Sequence, residues 1–194
     1  MKFEFALNET FSYVQYMELI ESLVSQNKTS GPNQSQILID FTSLNLKRLQ
    51  RLNKRLTLRP DVIAAIGEVK QSQRWILISE AWCGDCAQNL PIINKMASIS
   101  DKIDLQIIER DANLEVMDAF LTNGGRSVPK LISVDADNNV LFTWGPRPKV
   151  AQDMFLAHKK NPGTETPEEF KTTLHKWYTK DKSNEVQSEF IALL

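Results

Sequence analysis

Cys83 and Cys86 are the only cysteines among 194 residues, and they stand two residues apart in Ser79-Glu80-Ala81-Trp82-Cys83-Gly84-Asp85-Cys86. An apolar run of strand length, Trp75-Ile76-Leu77-Ile78, precedes them, and the stretch from Ala87 to Ala97 behind them reads as a helix. Strand, C-x-x-C and helix in that order form the setting in which two thiols do redox chemistry. The first sulfur then sits at the strand-to-helix turn, close to the free N–H groups of the new helix. Those groups and the helix dipole stabilise a thiolate, which is the nucleophilic form. The second sulfur lies one turn along the helix, within reach to close a disulfide.

Half of a zinc site has the same spacing, but a structural zinc takes four protein ligands. The remaining candidates, His158 and His175, lie far along the chain from the cysteines and outside any usual ligand spacing. No metal is expected. A pair of inert core cysteines would have no need of this spacing.

The elements that must hold the pair follow from periodicity. Residues 9–27 carry Phe11, Val14, Met17, Ile20, Leu23 and Val24 at helical spacing, and Gly31-Pro32-Asn33 breaks the pattern. A second helix is expected from about Ser35 to Leu56. Leu38, Phe41, Leu49, Leu52 and Leu56 share one arc of it; Lys47, Arg48, Arg51, Lys54, Arg55 and Arg59 share another. The basic arc reads either as a solvated face or as a docking surface for an acidic partner. Pro60-Asp61 opens a third helix to about Lys70.

From Trp75 onward strands and helices alternate: a strand to Ser79, a helix from Asp85 to Ser98, a strand at Ile103–Ile108 and a helix from Asn113 to Thr122. Two short strands follow, Lys130–Val134 and Val140–Trp144, and Asp137-Asn138-Asn139 between them suits a hairpin with positive φ. A βαβ unit, a crossover helix and a hairpin give an α/β fold: a mixed sheet with helices on both faces. The chain then returns to helix at Lys149–Lys160 and again behind a capping box, Thr166 to Glu169, with Phe170, Leu174, Trp177 and Tyr178 apolar. Lys180 to Asn184 reads as a polar break before a short tail.

The totals exclude several classes. With 42% hydrophobic and 24% charged residues the composition is that of a globular protein, and a net charge of −1 names no partner. Two cysteines are too few for a disulfide-stapled secreted scaffold. No apolar leader and no run of ~18 to 20 apolar residues is visible. The expected compartment is the cytoplasm, with neither membrane nor nucleic acid as a partner.

In these motifs the chain resembles the thioredoxin superfamily. Trp82-Cys83-Gly84-Asp85-Cys86 is similar to the W-C-G-P-C motif, with Asp85 in place of the proline. Pro91 falls where the family kinks its helix, Val128-Pro129 matches its cis-proline, and Gly145 follows the second hairpin strand as a glycine does there. The resemblance covers residues 75–160. With Gly31-Pro32-Asn33-Gln34-Ser35 and Trp144-Gly145-Pro146-Arg147-Pro148, the whole chain is similar to a bacterial group of thioredoxin-like proteins with a helical N-terminal extension. It implies a thioredoxin-like domain at 61–160, a helical N-terminal extension at 1–60 and a helical C-terminal extension at 161–194.

The resemblance and the sulfur argument together imply a thiol–disulfide oxidoreductase working as a disulfide reductase, without cofactor. Cys83 would attack a disulfide in a protein or small-molecule substrate, and Cys86 would resolve the mixed disulfide. A reductase or a small thiol would supply electrons. Trp82 would shield one side of the site or serve as a partly buried core aromatic. Gly84, Asp85, Val128 and Pro129 would shape it. Two positions depart from the family. Leu77, six residues before Cys83, stands where the family carries a buried aspartate, and Lys130 stands where a small polar residue is usual. Glu80 is then the candidate proton relay, with a solvated strand-end acid as the plainer reading. Asp85, expected at an exposed turn, is the other candidate. Arg126 either meets an acidic substrate or is a solvated loop arginine. The competing functions are a thioredoxin-fold adaptor module whose helical extensions carry the activity, and a peroxidase-like or thiol-transferase enzyme using Cys83 with a small thiol.

Overall fold

Trp75, Ile76, Leu77, Ile78 and Ser79 are all buried, so this strand is covered on both faces, as its unbroken apolar run requires. In the computed structural model, which describes residues 1–194, it is β1 (Gln73–Ser79), and it sits inside a four-stranded mixed sheet. β1 pairs in parallel with β2 (Ile103–Glu109) and antiparallel with β3 (Lys130–Asp135), which pairs with β4 (Val140–Trp144). The order across the sheet is β2-β1-β3-β4. Asn138, at φ +62°, turns the hairpin, and the Asp135 carboxylate accepts from the Asp137 and Asn139 amides at 2.9 and 2.8 Å.

Eight helices flank the sheet: α1 (Tyr13–Ser25), α2 (Gln36–Arg55), α3 (Pro60–Gly67), α4 (Gly84–Ala97), α5 (Leu114–Ala119), α6 (Lys149–Lys160), α7 (Pro167–Asp181) and α8 (Asn184–Leu193). The capping boxes that start α1 (Ser12 with Gln15) and α7 (Thr166 with Glu169) are both closed. α5 is shorter than its periodicity suggests, because the chain leaves helical geometry at Phe120, before the positive φ of Asn123 and Gly124.

The N-terminal helices share the core of the sheet. Tyr16 and Ile20 of α1 and Leu49 of α2 belong to one cluster of 33 buried residues with the strands and α4. The two faces are told apart by neighbouring β1 residues. Trp75 meets Phe190 of α8 at 5.3 Å between ring centroids, whereas the Arg74 guanidinium lies over Phe3, 5.7 Å from its centroid. α8 therefore closes one face, and the N-terminal segment with Phe3, Phe5 and Phe120 closes the other. The short tail after the polar break is thus a core helix, with Phe190 and Val186 fully enclosed. Lys182 and Ser183, both left-handed, make the sharp joint that releases it from α7.

The apolar arc of α2 divides in two. Leu49 is buried and Leu52 packs on the main core, while Leu38 and Phe41, near the start of the helix, line a cavity over the cysteines. α6 and α7 pack on each other through a second cluster, Ala151, Phe170, Leu174 and Tyr178. α7 of this pair covers the end of α4 that carries the cysteines, with Tyr178 on Asp85 and His175 on Gln88.

Candidate active site

Cys83 is the N-cap of α4 and Cys86 lies in its first turn, as free thiols 3.5 Å apart. The chain turns out of β1 through Glu80–Cys83, where the Cys83 amide donates to the Glu80 carbonyl at 3.0 Å. The first-turn amides of α4 have no intrahelical acceptor, so they present positive charge to the Cys83 sulfur. Cys83 is 9% exposed and Cys86 2%. Burial, and next to it the neighbouring Cys83, push the Cys86 thiol well above the ordinary range, while Ser79 and the Glu80 backbone pull it down by hydrogen bonding. The two sulfurs are therefore unequal: one at a helix end facing a cavity, the other sealed beneath.

The Val128–Pro129 peptide is cis, and the Cys83 thiol donates to the Val128 carbonyl at 3.3 Å. Gly145 presses on this turn: a Cβ there would stand 2.3 Å from the Pro129 carbonyl oxygen. Its φ of +109° is also one that L side chains rarely adopt, so glycine is required twice over. Trp82 lines the cavity beside Cys83, and the Arg110 guanidinium lies over its ring at 4.9 Å.

Leu77 is fully buried between Ile107 and Leu131 of the neighbouring strands, so no carboxylate stands at that point. Glu80, expected as a relay or as a solvated acid, is 1% exposed. One of its oxygens accepts from the Ser30 hydroxyl and the other from the Asp111 amide at 2.9 Å. Ser30 in turn accepts from the Ala81 amide at 2.9 Å, so Glu80 ties the α1–α2 loop to the redox turn. Burial raises its pKa above the usual carboxylate range, and nearby Glu109 is pushed up to about 7, mainly by burial and then by Glu80. Ser79, next to Cys86, accepts from the Tyr16 hydroxyl at 3.1 Å.

Asp85 is the principal correction to the sequence reading, which put it at an exposed turn. It is 7% exposed and lies under α7. The Arg147 guanidinium pairs with one oxygen at 2.7 Å, and the Tyr178 hydroxyl donates to the other at 2.9 Å. Burial still holds its pKa above the usual value, against the pull of Arg147. The structure also places His175 beside the motif, despite its distance along the chain. A Cβ on Gly84 would meet His175 Cε1 and Nε2 at 2.9 Å and Arg48 Nη1 at 3.4 Å, so glycine here admits both side chains. Burial, with Arg48 and Arg147 nearby, lowers the His175 pKa to about 4, leaving the ring neutral at pH 7.

Arg48, His175, Arg147 and Tyr178 are the site residues that motif reading did not single out. Arg48 did stand out in the basic arc of α2, and Tyr178 in the apolar face of α7. What was missing was the fold of α7 back over α4. α2 is fixed to the redox turn by Asn45, whose amide donates to the Ala81 carbonyl at 2.9 Å. Arg126 is held by Asp118 at 2.6 and 2.8 Å, and Lys130 is a buried cation with its pKa lowered by desolvation.

A mixed sheet with the β1–α4–β2 unit, the β3–β4 hairpin and a paired thiol at the N-terminus of α4 defines the thioredoxin-like class. The chain belongs to the thioredoxin family: a thioredoxin family model matches residues 31–171, which takes in α2 and the start of α7. Among solved structures it is similar to a protein of unknown function, PA1234, from Pseudomonas aeruginosa. The identity is 17% and the TM-score 0.61, over 94% of this chain and 96% of that one. It is also similar to an HIV epitope-scaffold at 16% identity and TM-score 0.55, over 94% and 97% of the two chains. At these identities the likeness is one of fold. No curated protein matches the chain. No helix is long and apolar enough to cross a membrane.

Proposed function

We propose that the protein is a thiol–disulfide oxidoreductase acting as a disulfide reductase through Cys83 and Cys86. The observation that carries this reading is the pair of free thiols 3.5 Å apart, with Cys83 at the N-terminus of α4 and Cys86 buried beneath it. Cys83, as thiolate, attacks one sulfur of a substrate disulfide, and the other substrate sulfur leaves and takes up a proton. Cys86 then loses its proton and attacks the Cys83 sulfur. The second substrate thiol is released, and the protein is left as the Cys83–Cys86 disulfide. A reductase or a thiol restores the dithiol, and the cytoplasm, where thiols are kept reduced, suits this direction. Gly84, Val128 and Pro129 shape the approach to Cys83, and Trp82 walls one side.

The test is reduction of a disulfide substrate by the native protein and by two variants, with dithiothreitol as electron source. Cys83→Ser abolishes turnover. Cys86→Ser, reduced and then freed of dithiothreitol, reacts once and holds the substrate as a mixed disulfide on Cys83. Equal activity in all three proteins, or first alkylation at Cys86, refutes the assignment. An adaptor module would give no turnover in any of them.

A further inference from the structure

Resting on that dithiol reading, we propose that the substrate is a small anionic disulfide, received in the cavity that α2, α6 and α7 build over Cys83. The cavity holds about 680 Å³, with Cys83 and Gly84 among its lining residues. That volume lies within the ~300–1,000 Å³ of small-molecule sites. Its apolar wall includes Phe41, Phe155 and Leu174. Cys83, at 9% exposure beneath these helices, does not stand out to meet the flat surface of a folded protein.

The charges select the ligand. The one carboxylate lining the cavity, Asp85, is committed to Arg147 at 2.7 Å. Arg48 bonds only to the neutral Asn45 amide oxygen, at 2.9 Å, and has no carboxylate within ion-pair distance. Its Nη1 stands 3.4 Å from where a Cβ of Gly84 would be, so it reaches the residue next to Cys83 and lines the same cavity. Lys171, with Nζ 5.1 Å from the Phe41 ring centroid, is held only by Glu168 at 3.8 Å. Arg48 and Lys171 also line an adjoining cleft between α2 and α7, where Lys47, Arg51 and Lys176 add positive charge. Of the basic arc seen in the sequence, Arg48 thus reaches the cavity of the thiols and Lys47 and Arg51 the adjoining cleft, while Arg59 pairs with Asp61. A partly buried guanidinium whose carboxylate neighbour, Asp85, is already paired with Arg147 is a site for a carboxylate or similar anion.

In this pocket Cys83 attacks R–S–S–R. One R–S⁻ leaves, while the other R–S stays bonded to the Cys83 sulfur as a mixed disulfide, with its anionic group on Arg48. Attack by Cys86 releases the second R–S⁻, and the two thiolates take the protons given up by Cys83 and Cys86. A dithiol reductant restores the protein.

Three disulfides of similar skeleton separate the possibilities: dithiodipropionate, anionic; hydroxyethyl disulfide, neutral; and cystamine, cationic. The rate constant of the pre-reduced protein with each is divided by that of free dithiothreitol, which removes the intrinsic reactivity of the disulfide. The expected order is anionic, then neutral, then cationic, with an anionic-to-neutral ratio of about ten or more at low salt. Arg48→Gln lowers this ratio several-fold and Lys171→Gln lowers it less, and added salt shrinks it in the native protein. If all three react with no charge order, or Arg48→Gln leaves the ratio unchanged, this inference fails and the dithiol reading stands. If none of them reacts and insulin is not reduced either, the dithiol reading itself fails. Reduction of insulin alone overturns the small-substrate assignment.

Discussion

The chain builds two cores of very different size, and the cysteines lie where they meet. The sheet core joins 33 buried residues, mainly from the strands, α1–α5 and α8. The cover formed by α6 and α7 has a core of four, Ala151, Phe170, Leu174 and Tyr178. Large clusters hold the scaffold rigid, whereas segments with few buried apolar contacts open at low free energy. The thiols are thus mounted on the most stable part of the molecule and covered by its least stable helical pair. That arrangement fixes sulfur geometry while leaving access adjustable. Polar links cross the boundary: Arg147, just before α6, and Tyr178 of α7 both reach Asp85 of α4, His175 of α7 bonds Gln88 of α4 at 3.1 Å, and the Lys149 amide donates to Glu189 of α8.

The largest effect belongs to the sheet core. Leu49 is 2% exposed, so Leu49→Ala costs about 2–5 kcal/mol. Chemical denaturation should show one cooperative transition shifted as a whole, because α2 belongs to the main cluster. A transition that leaves the strands untouched would mean that α2 is a separate module.

The cover should respond locally. Phe170→Ala removes a ring that stacks on His158 at 4.2 Å and touches Phe155, and it costs about 3 kcal/mol, the low end for this change, because its cluster is small. Amide exchange should speed up in α6 and α7 while β1 keeps its protection. Equal acceleration in both regions would erase the distinction between the two cores.

Asp85→Asn probes the boundary. The amide keeps a partner for Tyr178 but strands the Arg147 guanidinium, at a cost of about 1–3 kcal/mol. Two charge effects run the same way: the carboxylate near Cys83 is lost, and a positive charge is left without its counter-ion. Alkylation of Cys83 at fixed neutral pH should therefore quicken. Slower alkylation would show that Asp85 assists the thiolate.

The smallest effect is on pH dependence, where His175 opposes Glu109 and other carboxylates raised by burial, such as Glu80 and Asp85. Glu109 has its pKa raised to about 7, so the folded state binds more protons than the unfolded between about 4.5 and 7, and stability falls as pH rises there. His175 has its pKa lowered to about 4, so the unfolded state binds more protons between about 4 and 6.5, and stability rises with pH there. The native protein should show a shallow profile between pH 5 and 6.5. Glu109→Gln should expose the rising limb due to His175, and His175→Gln the falling limb due to Glu109. An unchanged profile in both variants would refute these environments.

What the sequence disclosed follows from the range of the interactions involved. The β1–Cys83–α4 unit and the β3–β4 hairpin rest on neighbouring residues: the apolar run of β1, the capping geometry of Cys83, the turn at Asn138. They were legible for that reason. Asp85 looked exposed because nothing within several turns of it signals Arg147 or Tyr178, which arrive from far along the chain. α8 was hidden by Lys180–Asn184, which reads as a stop but in the structure is a left-handed corner. Arg48 was visible as one charge among several on a helix. Only the packing of α2 against the redox turn, through Asn45 and Ala81, separates it from its neighbours.

The most direct test of the account is the fate of Cys83 after one equivalent of disulfide is added to the reduced protein, followed by mass spectrometry on rapidly quenched samples. A transient adduct on Cys83 is expected to give way to a Cys83–Cys86 disulfide and free substrate thiol, with a lasting adduct at Cys83 in Cys86→Ser. An adduct that forms first on Cys86, or that persists on the native protein without the internal disulfide, would contradict this course of events.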